Sequence, residues 1–120
     1  LNLIRGAATA DGLRTAGGIE VTGRCATTTP GDPAVAVFAP AAVAVHLSPP
    51  AGSPRNALAE RVSGLEPHRD LVRVRSHSGL AADVTPRAVA ELGLRPGEDV
   101  WFVVKATEVA VYPAGTAGGR

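Results

Sequence analysis

The chain has 120 residues, enough for one compact domain or for two very small ones that share a core. Hydrophobic residues make up 45% of it and aromatic residues only 3%, which predicts a light core of Val, Ala and Leu that gains from a partner subunit. Twelve basic and 11 acidic residues give a formal net charge of +1, which excludes a broad electrostatic surface for nucleic acid or for an anionic membrane.

Cysteine content and hydrophobic runs bear on the compartment. Cys25 is the single cysteine, so an internal disulfide is excluded and the chain is compatible with a reducing cytosol. No apolar run approaches the roughly 18 to 20 residues that span a bilayer, and no basic segment followed by an apolar stretch marks a signal peptide. A start at Leu1 and a loose segment over residues 114–120 predict a piece of a longer protein with a flexible tail.

Short Val-rich runs separated by Gly and Pro clusters predict an all-β fold. Val72 and Val74 alternate with Arg73 and Arg75, which predicts a strand with its arginines on a solvent-exposed face. The predicted strands are 3–8, 12–15, 19–22, 35–38, 43–47, 56–66, 71–76, 80–84, 100–105 and 109–112.

One short helix is predicted after the eighth strand. Thr85 is a good N-cap, and Pro86 suits the first helical position because its missing N–H has no partner there in any case. Gly93 supplies a left-handed C-terminal turn. A helix of one or two turns between strands is typical of a small Greek-key barrel such as an OB-fold.

The chain also contains a weak internal repeat. Residues 35–46 align with residues 101–112 at an offset of 66 (101 minus 35), and residues 2–6 align with residues 56–60 at an offset of 54 (56 minus 2). Two related barrels, residues 1–48 and 53–113, would explain the match. Chance similarity among abundant Val and Ala residues is the alternative, so one barrel or two both fit the sequence.

Catalytic signatures are scarce, which indicates a binding module and not an enzyme. There is no Gly-x-x-x-x-Gly-Lys-Ser/Thr loop for a nucleotide triphosphate. No paired Cys and no His-x-x-x-His spacing suggests a bound metal cation. The histidines His46, His68 and His77 fit solvated or packing positions.

Two short segments combine cations with small polar groups. They are residues 53–56 (Ser-Pro-Arg-Asn) and residues 105–107 (Lys-Ala-Thr), whereas the first copy of the repeat has Leu1-Asn2 and Ala39-Pro40-Ala41 there. Arg and Lys supply charge-assisted donors to an oxyanion, and hydroxyl and backbone N–H groups add neutral donors. A lysine directly after five strand residues either extends to solvent or meets an anion. The second copy alone is predicted to bind an oxyanion.

The segment 53–56 resembles the Ser-Ala-Arg-Asn opening of the Mop (molbindin) and TOBE domain family. Residues 82–85, 91–97 and 104–109 resemble further motifs of that family in the same order, so the similarity covers residues 53–113. Residues 1–6 and 37–43 resemble the segment that precedes this module in molybdate transporter ATPases. Pro54 departs from the usual Ala and removes one backbone N–H donor.

The resemblance implies an OB-fold-like all-β module that binds molybdate or tungstate, with no other cofactor, between units from different subunits or repeats. It also implies a homodimer or larger assembly, an ABC-type ATPase domain on the same chain, a permease partner, no nucleic acid, and a cytoplasmic location at the inner face of the membrane. The implied oxyanion ligands are Ser53, Arg55, Asn56, Lys105 and Ala106, with Thr107 and Thr85 as additions. The expected function is regulatory sensing of the anion; the alternative is a dimerisation scaffold that binds no ligand.

Overall fold

The computed structural model describes residues 1–51, the backbone of Arg55, and residues 56–115. This part of the chain is built mainly of strands, which confirms the predicted all-β class. In chain order the elements are β1 (Asn2–Ala8), β2 (Gly12–Arg14), β3 (Glu20–Thr22), β4 (Arg24–Cys25), β5 (Pro33–Phe38), a first 3-10 turn (Pro40–Ala42), β6 (Ala44–His46), β7 (Arg55–His68), β8 (Leu71–Ser76), β9 (Ala81–Val84), the helix α1 (Pro86–Leu92), β10 (Asp99–Lys105), a second 3-10 turn (Ala106–Glu108) and β11 (Ala110–Pro113).

The strands form two sheets, one in each of two compact units. Unit 1 consists of residues 1–38 and the segment that begins at Lys105, and unit 2 consists of residues 39–104. Unit 1 contains a six-stranded sheet with the order β3-β2-β1-β5-β11-β4. Unit 2 contains a five-stranded sheet with the order β6-β10-β7-β8-β9.

Each unit is completed by a strand from the other half of the sequence repeat. In unit 1, β11 pairs antiparallel with β5 and places Val111 opposite Ala36. In unit 2, β6 pairs antiparallel with β10 and places Val45 opposite Phe102. Both pairings have the same register under the offset of 66 found in the sequence. The domain bounds 1–48 and 53–113 remain a prediction. The compact units have other bounds, because β6 of the first half belongs to the sheet of unit 2 and β11 of the second half belongs to the sheet of unit 1.

Small aliphatic side chains fill the interior of both units. Unit 1 has one large buried ring, Phe38, and unit 2 has one, Phe102, with relative exposures of 2% and 1%. The remaining core is mainly Val, Ala and Leu. This is the light core predicted from the 3% aromatic content. Close packing of small side chains between strands stabilises such a core more than contacts between rings do.

The helix α1 forms as its end residues predict. The Thr85 hydroxyl accepts a hydrogen bond from the Ala88 N–H at 3.0 Å, with Pro86 in the first turn. Gly93 ends the helix at φ 65° and ψ 38°, a left-handed conformation that costs a glycine little. Within the described residues, no helix has the length and apolar character needed to cross a membrane.

Arg73 lies on the predicted face of β8 but is only partly exposed. Arg73 lies opposite Asp83 on the neighbouring strand and donates to both carboxylate oxygens, at 2.8 and 2.9 Å. The two side chains are only 22% and 6% exposed. This bidentate bond holds the pKa of Asp83 below its usual range. Alternation showed the face that Arg73 occupies, but it does not reveal a partner on the next strand.

Candidate functional site

The two 3-10 turns have nearly the same backbone. Ala39 precedes the first turn at φ −76° and ψ 143°, and Lys105 precedes the second at φ −66° and ψ 143°. In the first turn the Val43 N–H donates to the Pro40 carbonyl at 3.2 Å, and in the second the Val109 N–H donates to the Ala106 carbonyl at 3.2 Å. The turns are therefore equivalent copies of one local structure, and their chemistry depends on their side chains.

Three residues of the second turn favour an anion and their counterparts in the first do not, although the second turn also contains an exposed carboxylate, Glu108, in place of Ala42. Lys105 replaces Ala39, and Thr107 replaces Ala41, which adds an ammonium group and a hydroxyl. Ala106 replaces Pro40 and so retains a backbone N–H that proline lacks. We name the second set, Lys105 to Thr107, the Lys105 turn. It concentrates three kinds of hydrogen-bond donor in three consecutive residues.

Lys105 is exposed and ends β10. Within the part of the chain that the structure describes, it forms no salt bridge with a carboxylate. Its ammonium group therefore reaches solvent in the free protein, as the snorkelling interpretation requires. The same exposure leaves the charge available to a dissolved anion.

Asn56 has a structural bond in addition to its predicted role. It is 5% exposed, and its side-chain amide donates to the Val104 carbonyl at 3.3 Å. Val104 directly precedes Lys105 in the chain. The first copy keeps the same residue type, because Asn2 is 3% exposed and lies opposite Phe38, the counterpart of Val104. A buried asparagine in both copies, including the copy without cations, indicates a role in strand pairing.

The remaining predicted ligands are placed as follows. Thr85 is exposed, and its hydroxyl already accepts the N-cap bond of α1. Arg55 begins β7, but its side chain lies outside the described residues, as does all of Ser53. The structure thus brings Lys105, Ala106 and Thr107 together in unit 1, whereas Asn56 and Thr85 belong to unit 2.

Sequence reasoning did not single out Arg24, which contacts the Lys105 turn. Its Nε donates to the Thr107 carbonyl at 2.9 Å. Arg24 lies in a two-residue strand within a stretch rich in Gly and Thr, so no hydrophobic alternation marked it. The described residues contain no group of three or more His, Cys, Asp or Glu side chains that could hold a metal ion.

Comparison with known proteins identifies the family of the chain and its relatives. The family model described as the TOBE domain matches residues 52–111. The chain is 44% identical over 122 aligned positions to the molybdenum import ATP-binding protein ModC of Mycobacterium tuberculosis, in the strains CDC 1551 / Oshkosh and ATCC 25618 / H37Rv. The match covers 95% of this chain and 33% of each relative, so the chain spans about a third of their length.

A solved structure is similar over almost the whole fold. It is the cytoplasmic molybdate-binding protein ModG in a crystal form with molybdate bound. The match has a TM-score of 0.78 and 25% sequence identity, and it covers 94% of this chain and 96% of ModG. The chain and ModG therefore share one overall fold.

Proposed function

We propose that this chain, which belongs to the TOBE domain family, binds molybdate or tungstate as the regulatory module of an ABC importer's ATP-binding subunit. The observation that carries the proposal is the contrast between two turns of one backbone shape, of which only the Lys105 turn has a cation and a hydroxyl. Molybdate is the ligand named for ModG, and molybdenum import is the activity named for ModC.

The Lys105 turn suits a tetrahedral dianion. The Lys105 ammonium group neutralises part of its charge, and the Thr107 hydroxyl and the backbone N–H groups of the turn provide directed neutral donors. Sulfate carries the same charge as molybdate but is smaller, so size and donor geometry must separate the two anions. No covalent step is involved. Arg55 and Ser53 remain proposed ligands on the strength of the sequence motif.

Regulation follows from linkage. If the anion binds one state of the transporter better than another, it shifts the population toward that state by at most the difference in binding free energy. The ATPase domain would occupy the part of the longer protein outside this chain, and a permease would be its partner. The module would then sense the intracellular anion at the inner face of the membrane.

We also propose self-association through the outer face of the unit 1 sheet. Register places Leu3 beside Val37 on β5, and Val35 beside Tyr112 on β11. Leu3 and Tyr112 are 46% and 52% exposed. These side chains point to one face because they occupy alternate positions of paired strands, and the exposed Arg5, which lies opposite Val35, shares that face. A second copy that covers this face would add apolar burial to a light core.

Light scattering with and without molybdate tests the assembly. We expect wild-type protein to be a dimer or larger, and we expect Leu3→Glu to reduce the association because it replaces an exposed apolar side chain of this face with a carboxylate that must lose its hydration. Leu47→Glu is the matched control, since Leu47 is 55% exposed but lies in unit 2. A strictly monomeric wild type at high concentration, in both conditions, would contradict the assembly and also the scaffold alternative. A dimer that binds no molybdate would favour the scaffold.

A further inference from the structure

Arg24 is attached to the Lys105 turn at two points, both within unit 1. Its backbone N–H donates to the Val109 carbonyl at 2.8 Å, where β4 begins to pair with β11. Its Nε donates to the Thr107 carbonyl at 2.9 Å. Arg24 therefore bonds the backbone both inside the turn and directly after it, and it restrains the residues that carry the proposed donors.

The preceding residue makes this close approach feasible. A Cβ atom on Gly23 would lie 2.8 Å from Val109 Cγ1 and 2.9 Å from the Val109 carbonyl oxygen. Any side chain there would push β4 away from Val109, so glycine is the residue that permits the contact. The Gly23 N–H is itself bonded to the Asp11 carbonyl at 3.0 Å. Two backbone hydrogen bonds, from Gly23 to Asp11 and from Arg24 to Val109, therefore fix the position of Arg24.

The guanidinium group of Arg24 has N–H donors besides the one that bonds the Thr107 carbonyl. It carries five N–H donors, and the Thr107 carbonyl accepts from one nitrogen only. Among the described residues it forms no salt bridge with a carboxylate, and the side chain is exposed. Most of the other arginines are paired with Asp or Glu: Arg14, Arg61, Arg73, Arg75, Arg87 and Arg95. A planar cation without a salt-bridge partner among the described residues therefore stands beside the Lys105 turn, and the carboxylate of Glu108 follows Thr107 in the same 3-10 turn.

In the described part of unit 2, the strand beside the equivalent turn carries no such cation. There β9, whose sequence is Ala-Ala-Asp-Val, contacts the first 3-10 turn. Its charged residue, Asp83, is acidic and is already bonded to Arg73. Of the two turns, the one that carries Lys105 is therefore also the one that has a basic residue, Arg24, beside it.

We infer that Arg24 is a further oxyanion-binding residue of the Lys105 turn: Nε positions the turn through the Thr107 carbonyl, and the terminal nitrogens donate to the anion. This inference rests on the proposed function of that turn. Arg24 and Lys105 would then supply two positive charges to a dianion within one unit. A planar guanidinium also suits two neighbouring oxygens of one tetrahedral ion, because its donors are parallel.

Calorimetric titration with molybdate of wild type, Arg24→Ala, Arg24→Lys and Arg14→Ala tests the inference. Arg24→Ala should weaken binding about ten- to a hundred-fold, the usual effect of losing a charge-assisted bond. Arg24→Lys should recover part of the affinity because it keeps the charge. Arg14→Ala removes an equal charge from the same unit and should bind like wild type, since Arg14 is paired with Glu20. Hydrogen exchange without ligand should show faster exchange of the Val109 N–H in both Arg24 variants.

The possible results distinguish the role of Arg24 from the proposed function of the Lys105 turn. If wild type binds molybdate and Arg24→Ala binds equally well, the role of Arg24 is wrong and the proposed function stands. If Arg14→Ala loses as much affinity as Arg24→Ala, diffuse charge explains the effect and the inference fails. Unchanged exchange at Val109 would overturn the positioning role. Failure of wild type to bind molybdate would remove both the inference and the proposed function.

Discussion

Lys105→Ala is expected to weaken molybdate binding about ten- to a hundred-fold, which corresponds to the roughly 1.5–3 kcal/mol of a hydrogen bond to a charged group. The side chain is exposed and has no carboxylate partner among the described residues, so its removal leaves the fold intact. Titration calorimetry measures the loss, with circular dichroism as a check on folding. The sequence motif predicts a similar loss for Arg55→Ala.

Arg75→Ala is the appropriate control for Lys105→Ala. Arg75 is exposed and paired with Glu66 on the neighbouring strand, in unit 2. Arg73, although close in sequence, would be a poor control because its half-buried bond to Asp83 contributes to folding. Wild-type affinity in Lys105→Ala would mean that Lys105 only extends into solvent. Equal losses in Lys105→Ala and Arg75→Ala would indicate a general charge effect and no defined site.

Asn56→Ala is expected to destabilise the fold by about 1–3 kcal/mol, because it leaves the carbonyl of a buried strand residue without its amide donor. The acceptor belongs to Val104, which is 1% exposed. Chemical denaturation without ligand measures the change in the free energy of unfolding. This readout isolates the strand-pairing role of Asn56 from its proposed role as a ligand.

Asn2→Ala is the matched variant, since Asn2 is the buried asparagine of the first copy and lies opposite Phe38, which precedes the first 3-10 turn as Val104 precedes the Lys105 turn. We expect the two variants to lose similar stability. If Asn56 also binds the anion, only Asn56→Ala should lose affinity as well. A fully stable Asn56→Ala protein would contradict the structural role that the buried bond indicates.

Local sequence patterns predicted the secondary structure well where neighbouring residues alone determine it. Val72 and Val74 in alternation marked β8, whose bounds the prediction matched, and Thr85 with Gly93 marked both ends of α1. The two-residue strand β4 was missed, because two residues are too few to show a period. The 3-10 turns were missed as well, since their sequences, Pro-Ala-Ala and Ala-Thr-Glu, contain no strong turn residue beyond one proline.

Local sequence patterns did not predict contacts between residues that lie far apart in the chain. The repeat offset of 66 aligned the turns and their flanking strands, yet it did not reveal that β6 and β11 complete units other than those expected from sequence order. The contact between Arg24 and Thr107 joins residues 83 positions apart. Comparison of the two copies did identify Lys105, because the replacement of Ala39 by a cation is visible in the sequence itself.

The most direct test of the central claim is parallel equilibrium titration of the wild-type chain with molybdate, tungstate, sulfate and phosphate, with stoichiometry. We expect saturable molybdate binding at no more than one ion per chain, because the first turn has Ala39 and Pro40 in place of Lys105 and Ala106. We expect much weaker binding of sulfate. Absence of saturable molybdate binding, or equal binding of all four anions, would contradict a specific oxyanion site at the Lys105 turn.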